Sequence, residues 1–216
     1  MTHAPFQESS AETELAFDQT LLDGAEPAVF RTYRFTPSSI TVGRFQDAAA
    51  FADFGVPIAR RRTGGGAIWH HDECTFAVAG DASILGSSTD AIFELVHGAL
   101  VDALAELGVQ SRMIGHEGPA PHPRAAGIDW CFAKACRYDL VAPDGRKLVG
   151  GAQRRVRRPK DRVLIHGSIP FSRAPGQDFS AAIEDQCDPA RIREELPEAF
   201  ASQLRTRIGP TNPESC

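Results

Sequence analysis

The stretch of residues 60–75 constrains the fold more than any other part of this sequence. It reads Arg-Arg-Arg-Thr-Gly-Gly-Gly-Ala-Ile-Trp-His-His-Asp-Glu-Cys-Thr, so three arginines run directly into three glycines. Glycine costs backbone entropy on folding, and a triplet indicates a sharp turn or a very close approach of the backbone to another group. Arginine supplies fixed charge and planar donors. The stretch therefore predicts either a pocket floor for a ligand with an anionic or polar head, or a tight hairpin with solvated arginines.

The glycines do not form a standard phosphate-binding motif. Gly-x-x-x-x-Gly-Lys-Ser/Thr is absent, and Gly64, Gly66 and Trp69 do not satisfy Gly-x-Gly-x-x-Gly. A zinc site is a weak interpretation, because adjacent strand residues point to opposite faces and the cysteine spacing is wide. Its candidate ligands are His70, His71, Cys74, Cys131 and Cys136, and we expect no metal.

The composition is typical of a globular chain with one core. The chain has 216 residues, of which 42% are hydrophobic and 24% are charged. Its net charge of -5 argues against general nucleic-acid binding. No apolar run approaches the roughly 18 residues that span a membrane, and the polar start has no signal core. Five cysteines without framework spacing indicate reduced thiols. We therefore expect a cytoplasmic protein with a single domain over residues 1–216 and loose tails at about 1–10 and 210–216.

Hydrophobic periodicity predicts an α+β fold in which hairpin-linked strands are flanked by helices. One helix is predicted from a capping box at 9–12 to about Leu22, and a second over 90–107 with Ser87 or Thr89 as its cap. A third begins at Asp188-Pro189, and Pro197 should kink or split it. A short helical stretch is predicted at 48–54, a loop at 115–127 and a basic connection at 154–162. Strands are predicted over residues 29–35, 39–42, 57–61, 66–69, 75–79, 138–141, 147–153 and 162–170.

Three later stretches, taken together with residues 60–75, resemble a known superfamily. They are Trp-Cys-Phe-Ala-Lys-Ala-Cys-Arg-Tyr-Asp-Leu at 130–140, Gly-Arg-Lys-Leu-Val-Gly-Gly-Ala-Gln-Arg-Arg at 145–155 and His-Gly-Ser-Ile at 166–169. They are similar to motifs of the lipoate–protein ligase, octanoyltransferase and biotin protein ligase superfamily. The likeness covers nearly the whole chain in order, although Gly151 stands where the second motif usually has serine. It implies a class II synthetase or biotin-ligase-like catalytic domain, with a mixed, mostly antiparallel sheet flanked by helices.

Cys131 indicates which branch of the superfamily the chain resembles. Cys-Phe-x-x-x-(Ser/Cys)-x-Tyr-(Glu/Asp)-Leu followed by Gly-Arg-Lys resembles the octanoyltransferases that carry the acyl group on this cysteine, whereas ligases tend to have an Asn-Asp pair here. A thiolate is a strong nucleophile toward thioesters, and a nearby Lys or Arg favours it. The match is imperfect, because Ala135 and Cys136 replace the usual Pro-Ser pair. The other cysteines, Cys74, Cys136, Cys187 and Cys216, are predicted to be small core or surface residues.

The same resemblance implies roles for the remaining site residues. Lys147 matches the lysine that the family directs at the acyl carbonyl, where an ammonium can stabilise an oxyanion. Without the resemblance, Lys147 would be interpreted as a solvated strand lysine. His70 and His166 would line the acyl pocket, although a lone strand histidine is more often structural. The predicted substrate-binding set is Arg61, Thr63, Gly64, Gly65, Gly66, His70, Gly150, Gly151, Ala152, His166 and Gly167, with Ile68 and Trp69 along the chain tunnel.

The implied activity is transfer of an octanoyl or lipoyl group from acyl carrier protein, through a Cys131 thioester, to a lysine of a lipoyl-accepting domain or a glycine-cleavage H-type carrier. This reaction requires no cofactor. One alternative is a lipoate–protein ligase that uses ATP and Mg²⁺, with Arg61 and Lys147 on the adenylate. Another is a non-catalytic acyl-binding or carrier-docking protein, which the departures at 135, 136 and 151 leave open. The basic run at 154–162 is either a solvated hairpin or a docking patch for acidic carriers. We expect neither a nucleic-acid nor a membrane partner.

Overall fold

The computed structural model describes residues 1–115 and 129–209 and has the predicted α+β architecture. Its helices are α1 (Ala11–Asp23), α2 (Ala82–Leu85), α3 (Thr89–Glu106) and α4 (Pro189–Ile208), with 3₁₀ helices at Ala48–Phe54, Cys131–Ala133 and Ile183–Asp185. Its strands are β1 (Thr2–His3), β2 (Gln7–Ser9), β3 (Ala28–Phe35), β4 (Ser39–Val42), β5 (Ile58–Arg60), β6 (Ile68–His70), β7 (Asp72–Asp81), β8 (Arg112–Met113), β9 (Leu140–Val141), β10 (Lys147–Val156) and β11 (Arg162–Ser172).

A large, mostly antiparallel sheet forms the centre of the fold. Its strand order is β1-β3-β7-β11-β10-β9-β8, and β2 also pairs with β3. Only the two short N-terminal strands run parallel to their partner in this sheet. A smaller sheet has the order β5-β4-β6. In the part of the chain that the structure describes, no helix has the length and apolar character needed to cross a bilayer.

Both faces of the large sheet are buried, because alternate residues of its central strands contact different helices. On β7, Phe76 and Val78 belong to the core that α3 and α4 cover. Their neighbours Ala77 and Ala79 belong to a second core beneath α1. The predicted alternation over 75–79 is confirmed, and both of its faces are enclosed.

Two helices begin one residue away from the predicted caps. Ser10 caps α1 by accepting a hydrogen bond from the Thr13 amide at 3.3 Å. Ser88 caps α3 by accepting from the Ala91 amide at 3.1 Å. The residue type of each cap was predictable, since a serine side chain satisfies an unpaired amide at a helix start, but the register was not.

Three further predictions need correction, and two lie outside the described residues. Residues 1–10 are not a loose tail, because β1 and β2 pair with β3. Helix α4 continues through Pro197, since Leu196 and Phe200 are buried against the rest of the fold and hold it. Strand β10 reaches Val156, so the basic connection is shorter than predicted. Most of the predicted loop at 115–127 and the predicted tail at 210–216 fall outside the described residues.

Candidate active site

The turn at Gly64–Gly66, here called the glycine turn, fixes the position of Cys131 through backbone contacts. The Ala67 amide donates to Asp129 O at 2.9 Å, and the Cys131 amide donates to Ala67 O at 2.8 Å. A Cβ on Gly66 would lie 2.7 Å from both Asp129 O and Cys131 N, so the two segments approach this closely only because residue 66 is glycine. The close approach predicted from the sequence is, at this position, an approach to the cysteine segment.

Lys147 begins β10 and is buried beside Cys131 with 4% of its surface exposed. Its Nζ lies 3.5 Å from Cys131 Sγ, donates to Cys131 O at 3.1 Å and forms an ion pair with Asp139 Oδ2 at 2.7 Å. Burial lowers the pKa of Lys147, but Cys131 and Asp139 outweigh this effect, so the pKa is raised. The interpretation of Lys147 as a solvated strand lysine is therefore wrong, and the Cys131 thiol has a buried positive charge beside it.

Cys131 lines a small cavity that is partly open to solvent. The walls come from α1, the large sheet, the glycine turn and β6. Predicted site residues that line it are Arg61, Gly64, Gly65, His70, Cys131, Gly150, Gly151, Ala152, His166 and Gly167, together with Ile68.

A few predicted residues lie behind the cavity wall. Thr63 contacts His166 and Gly66 contacts the cysteine segment, while Lys147 lies behind Cys131. Trp69 is not in the wall, because its ring packs against Phe54 with 5.3 Å between the ring centroids. These residues therefore affect the cavity through the wall residues that they contact.

Part of the cavity wall and the partner of Lys147 were not predicted from the sequence. Asp139 lies in the recognised 130–140 stretch, but its pairing with Lys147 depends on where β9 and β10 meet. The alternation of β3 gave a signal for its aromatic residues, although it did not say which face meets the cavity. The missed wall residues are Leu15, Tyr33, Phe35, Thr75 and Ser168.

Hydrogen bonds hold both ring nitrogens of His70. Arg61 Nη1 donates to Thr41 Oγ1 at 2.7 Å, which leaves the Thr41 hydrogen for His70 Nε2, also at 2.7 Å. On the other side, Nδ1 contacts Glu73 Oε1, which also accepts from Thr75 at 2.8 Å. Neither nitrogen is left to bind a ligand, so His70 serves as a fixed part of the wall.

His166 is also held at both of its ring nitrogens. Its Nδ1 lies 3.0 Å from Asp18 Oδ2, and its Nε2 lies 2.8 Å from Thr63 Oγ1. Asp18 also accepts from Arg31 Nε at 3.0 Å and from the Tyr33 hydroxyl at 2.8 Å. Burial raises the pKa of Tyr33 well above its usual value, so its hydroxyl remains a neutral donor. These contacts fix the orientation of the ring.

Two of the three arginines before the glycines bind backbone carbonyls of their own fold. Arg60 Nη1 donates to Gln46 O at 2.7 Å. Arg61 is buried, and it donates to Thr41 O at 2.9 Å and to Gly66 O at 2.8 Å. Arg62 is exposed. Arg60 and Arg61 therefore stabilise the loops around the cavity. Neither of the two sequence interpretations, a pocket floor or solvated arginines, fully predicted this role.

The other described cysteines have surroundings unlike those of Cys131. Burial raises the pKa of the Cys74 thiol to about 12. Cys136 is exposed, and its amide donates to Asp139 Oδ2 at 2.6 Å. Cys187 is half-buried against the large core, and Cys216 lies outside the described residues. Of the cysteines that the structure describes, Cys131 is the one that combines a cavity wall with a lysine ammonium.

The residues considered for zinc do not converge. His70 is bonded to Thr41 and Glu73, whereas the adjacent His71 is exposed. Within residues 1–115 and 129–209, the His, Cys, Asp and Glu side chains form no group of three or more that could hold a metal ion.

The predicted docking patch lies at the far end of β10 from Lys147. A ten-residue strand spans about 30 Å, so the hairpin tip is distant from Cys131. Arg155 pairs with Asp161 and Arg162 pairs with Asp81, so part of the basic run is used within the fold. The exposed basic residues at the tip are Arg157, Arg158 and Lys160.

Comparison with known proteins gives a family and a fold. The lipoyl protein ligase A/B catalytic domain family matches residues 10–202. The octanoyltransferase LipM of Moorella thermoacetica is 32% identical over 200 residues, covering 86% of this chain and 70% of that protein. The octanoyltransferase LipM of Kyrpidia tusciae is 31% identical over 220 residues, covering 93% of this chain and 76% of that protein. The crystal structure of lipoate-protein ligase A bound with ATP matches with a TM-score of 0.72, over 96% of this chain and 85% of that one, at 19% identity, which is a likeness of fold.

These matches confirm the superfamily, the class II synthetase-like α+β fold and the acyltransferase class that the sequence predicts. The family match covers the glycine turn, Cys131, Lys147 and both cavity histidines. We conclude that this chain belongs to the lipoyl protein ligase A/B catalytic domain family.

Proposed function

We propose that this chain is an octanoyltransferase of protein lipoylation and that Cys131 carries the octanoyl group as a thioester. The observation that carries this proposal is the Lys147 ammonium, which lies 3.5 Å from Cys131 Sγ, and Cys131 lines a cavity. A fixed positive charge beside a thiol favours the thiolate, which is the nucleophilic form. Curated relatives at about 30% identity carry the name octanoyltransferase LipM, which supports the same assignment.

In the first step, the Cys131 thiolate attacks the thioester carbonyl of octanoyl-acyl carrier protein. A carbon–sulfur bond forms to Cys131, and the bond to the carrier's sulfur breaks, so the carrier leaves as a thiolate. Lys147 stabilises the negative charge that moves from Cys131 Sγ to the carbonyl oxygen and back to sulfur. Its pKa is raised by Cys131 and Asp139 against the effect of burial, so the ammonium is charged when Cys131 attacks.

In the second step, the lysine amine of a lipoyl-accepting domain attacks the octanoyl thioester. An amide bond forms, Cys131 leaves as a thiolate, and the amine proton finally resides on the carrier thiol. The overall reaction therefore balances without ATP, a metal or a redox cofactor. The acyl chain lies in the cavity, where Leu15, Phe35 and Ile68 provide apolar wall.

The contacts of Arg61 argue against the adenylate-forming ligase alternative. In a ligase, this arginine would bind the phosphate of the adenylate. Here Arg61 is 5% exposed, and its two terminal nitrogens donate to Thr41, Gly64 and Gly66. A phosphate would have to displace hydrogen bonds that hold the glycine turn in place.

The substitution at Gly151 does not by itself support the non-catalytic alternative. A Cβ at residue 151 would point toward His97, whereas one at Gly150 would point toward Lys147 and Cys131. A serine at 151 would therefore lie on the far side of the strand from the cysteine. Its loss removes no hydroxyl group from the immediate neighbourhood of Cys131.

Intact mass spectrometry after incubation with octanoyl-acyl carrier protein tests the proposal. We expect an octanoyl adduct that is lost in Cys131→Ser and retained in Cys136→Ser, which is the matched control five positions away in the same segment. The adduct must also transfer its octanoyl group to a lipoyl-accepting domain when the carrier is removed.

Two outcomes would replace the proposal. Absence of an adduct, together with acylation of the acceptor from free octanoate that requires ATP and Mg²⁺, would identify a ligase. Tight octanoate binding without an adduct and without transfer under either condition would identify a binding protein.

A further inference from the structure

His97 on α3 is fully buried and lies outside the cavity wall. Its Nδ1 is 2.6 Å from Tyr138 O, and because a carbonyl oxygen only accepts, Nδ1 carries the proton. Burial lowers the pKa of His97, so the ring is neutral and Nε2 is an acceptor. Nε2 has no hydrogen-bond partner among the described residues. A buried polar atom without a partner is unfavourable, so its retention calls for a reason.

Gly151 is the point at which β10 passes over this ring. A Cβ on residue 151 would lie 2.6 Å from His97 Nε2 and 3.0 Å from Cε1. The serine that the superfamily motif usually has at this position is therefore incompatible with the observed ring position. Glycine at 151 leaves the space that the His97 ring occupies. The departure from the motif is therefore explained by His97, which lies 54 positions earlier in the chain.

The hydrogen bond from His97 leads directly to the lysine beside Cys131. Tyr138 O, which accepts it, belongs to the residue before Asp139. The Asp139 carboxylate lies 2.7 Å from Lys147 Nζ, which is 3.5 Å from Cys131 Sγ. His97 thereby anchors the backbone from which the partner of Lys147 projects.

A second contact from α3 anchors the same segment. The Phe93 ring stacks on the Tyr138 ring with 5.3 Å between centroids and 1° between planes. Phe93 and His97 are four residues apart, so they share one face of the helix. The segment before Asp139 is therefore held at its carbonyl and at its side chain by one helix.

We propose that His97 is a positioning residue that orients Asp139, and through it Lys147, toward Cys131, and that glycine at 151 provides the space for its ring. Among the described residues, His97 does not line the cavity, and its hydrogen bond reaches Asp139 through the Tyr138 backbone. The inference rests on the proposed function only in taking Cys131 as the reactive thiol.

The pH dependence of Cys131 alkylation by iodoacetamide tests this role without any acyl substrate. The rate is measured at the Cys131 peptide by mass spectrometry, in a Cys136→Ser background. We expect His97→Leu to lower the rate near neutral pH roughly tenfold, because the ammonium is less well placed beside the thiol. We expect His97→Asn to stay within about threefold of the parent, because its amide nitrogen can take the place of Nδ1.

The size match is tested with Gly151→Ser, alone and combined with His97→Ala. Gly151→Ser should lower both Tm and the alkylation rate, and His97→Ala should restore part of the Tm but not the rate. Gly151→Ser and the double variant also test the positioning role if His97→Leu does not fold. A parental alkylation profile in His97→Leu or in the folded double variant, or equal losses in His97→Asn and His97→Leu, would overturn the positioning role. If alkylation responds as expected while no octanoyl adduct forms, the proposed function fails and the positioning role stands.

Discussion

Gly150 and Gly151 are consecutive residues of β10, yet they serve opposite sides of the strand. A Cβ on Gly150 would lie 2.6 Å from Lys147 Cε and 3.4 Å from Cys131 Sγ. A Cβ on Gly151 would instead lie 2.6 Å from His97 Nε2. The first glycine makes room for Lys147 and Cys131, and the second makes room for a buried ring on a helix. One sequence motif therefore contains two separate packing constraints, and variants can separate them.

The largest effect is expected on the Gly150 side, from Lys147→Met. Removing the ammonium should slow acylation of Cys131 by about 10²- to 10³-fold, because preorganised charge at a developing oxyanion contributes that much. It also leaves the buried Asp139 carboxylate without its partner, which should destabilise the fold by about 3–5 kcal/mol. Single-turnover acylation by intact mass and thermal unfolding measure the two effects.

A double variant separates activity from stability in that experiment. Asp139→Asn combined with Lys147→Met should recover much of the Tm, because no buried charge remains unpaired, and should stay inactive. Recovery of acylation together with stability would mean that Lys147 acts only as a structural partner of Asp139.

The next effect comes from comparing Gly150→Ala with Gly151→Ala. At 150, the new methyl group meets the end of the buried Lys147 side chain and displaces its ammonium, so we expect acylation to fall at least tenfold. At 151, it meets a rigid ring in a packed core, so we expect a loss of about 1–3 kcal/mol in stability. Equal effects of the two variants on both measurements would remove the distinction between the two sides of the strand.

A smaller effect, confined to the Gly151 side, is expected in the pH dependence of stability. Burial lowers the pKa of His97 below its unfolded value of about 6.5, with a further lowering from Lys147 that the Tyr138 carbonyl and Asp139 oppose. The stabilising contribution of the neutral ring is complete above pH ~6.5 and is lost as pH falls, because the unfolded chain binds a proton that the folded chain does not.

Denaturant unfolding of the parent and of His97→Asn between pH 5 and 8 measures that contribution. His97→Asn has no imidazole at this position. Below pH ~6.5, the free energy of unfolding of the parent should therefore fall by up to about 1.4 kcal/mol more per pH unit than that of the variant. Parallel curves for the two proteins would show that His97 titrates normally in the folded state.

The smallest effect is expected far from both glycines, at the tip of the β10–β11 hairpin. If the exposed arginines there help to capture acidic carriers, Arg157→Glu with Arg158→Glu should raise KM for acyl carrier protein about two- to fivefold at low salt and leave kcat unchanged. The distance of about 30 Å from Lys147 argues for a modest effect. A KM that does not change at low salt would discard the docking role.

Local sequence patterns predicted most of the secondary structure. The strand at 39–42 and the short helix at 48–54 match the observed Ser39–Val42 and Ala48–Phe54, and the other predicted strands occur within a few residues of their expected ends. Strands β1 and β2 were missed, because two or three residues are too few to show a period and their pairing with β3 is distant in sequence. Pro197 was misjudged because buried neighbours hold α4 together across it.

The sequence by itself determined the residue types that the proposed cysteine acyltransferase site needs: a cysteine, a lysine and glycines at points of close approach. It did not determine which of these residues meet. Tertiary structure brought Ala67 against Cys131, Lys147 beside Asp139 and His97 beneath Gly151, over separations of 8 to 64 positions. The physical reason is that burial and hydrogen-bond pairing depend on which strands and helices become neighbours, and a local pattern specifies only the face that a residue occupies.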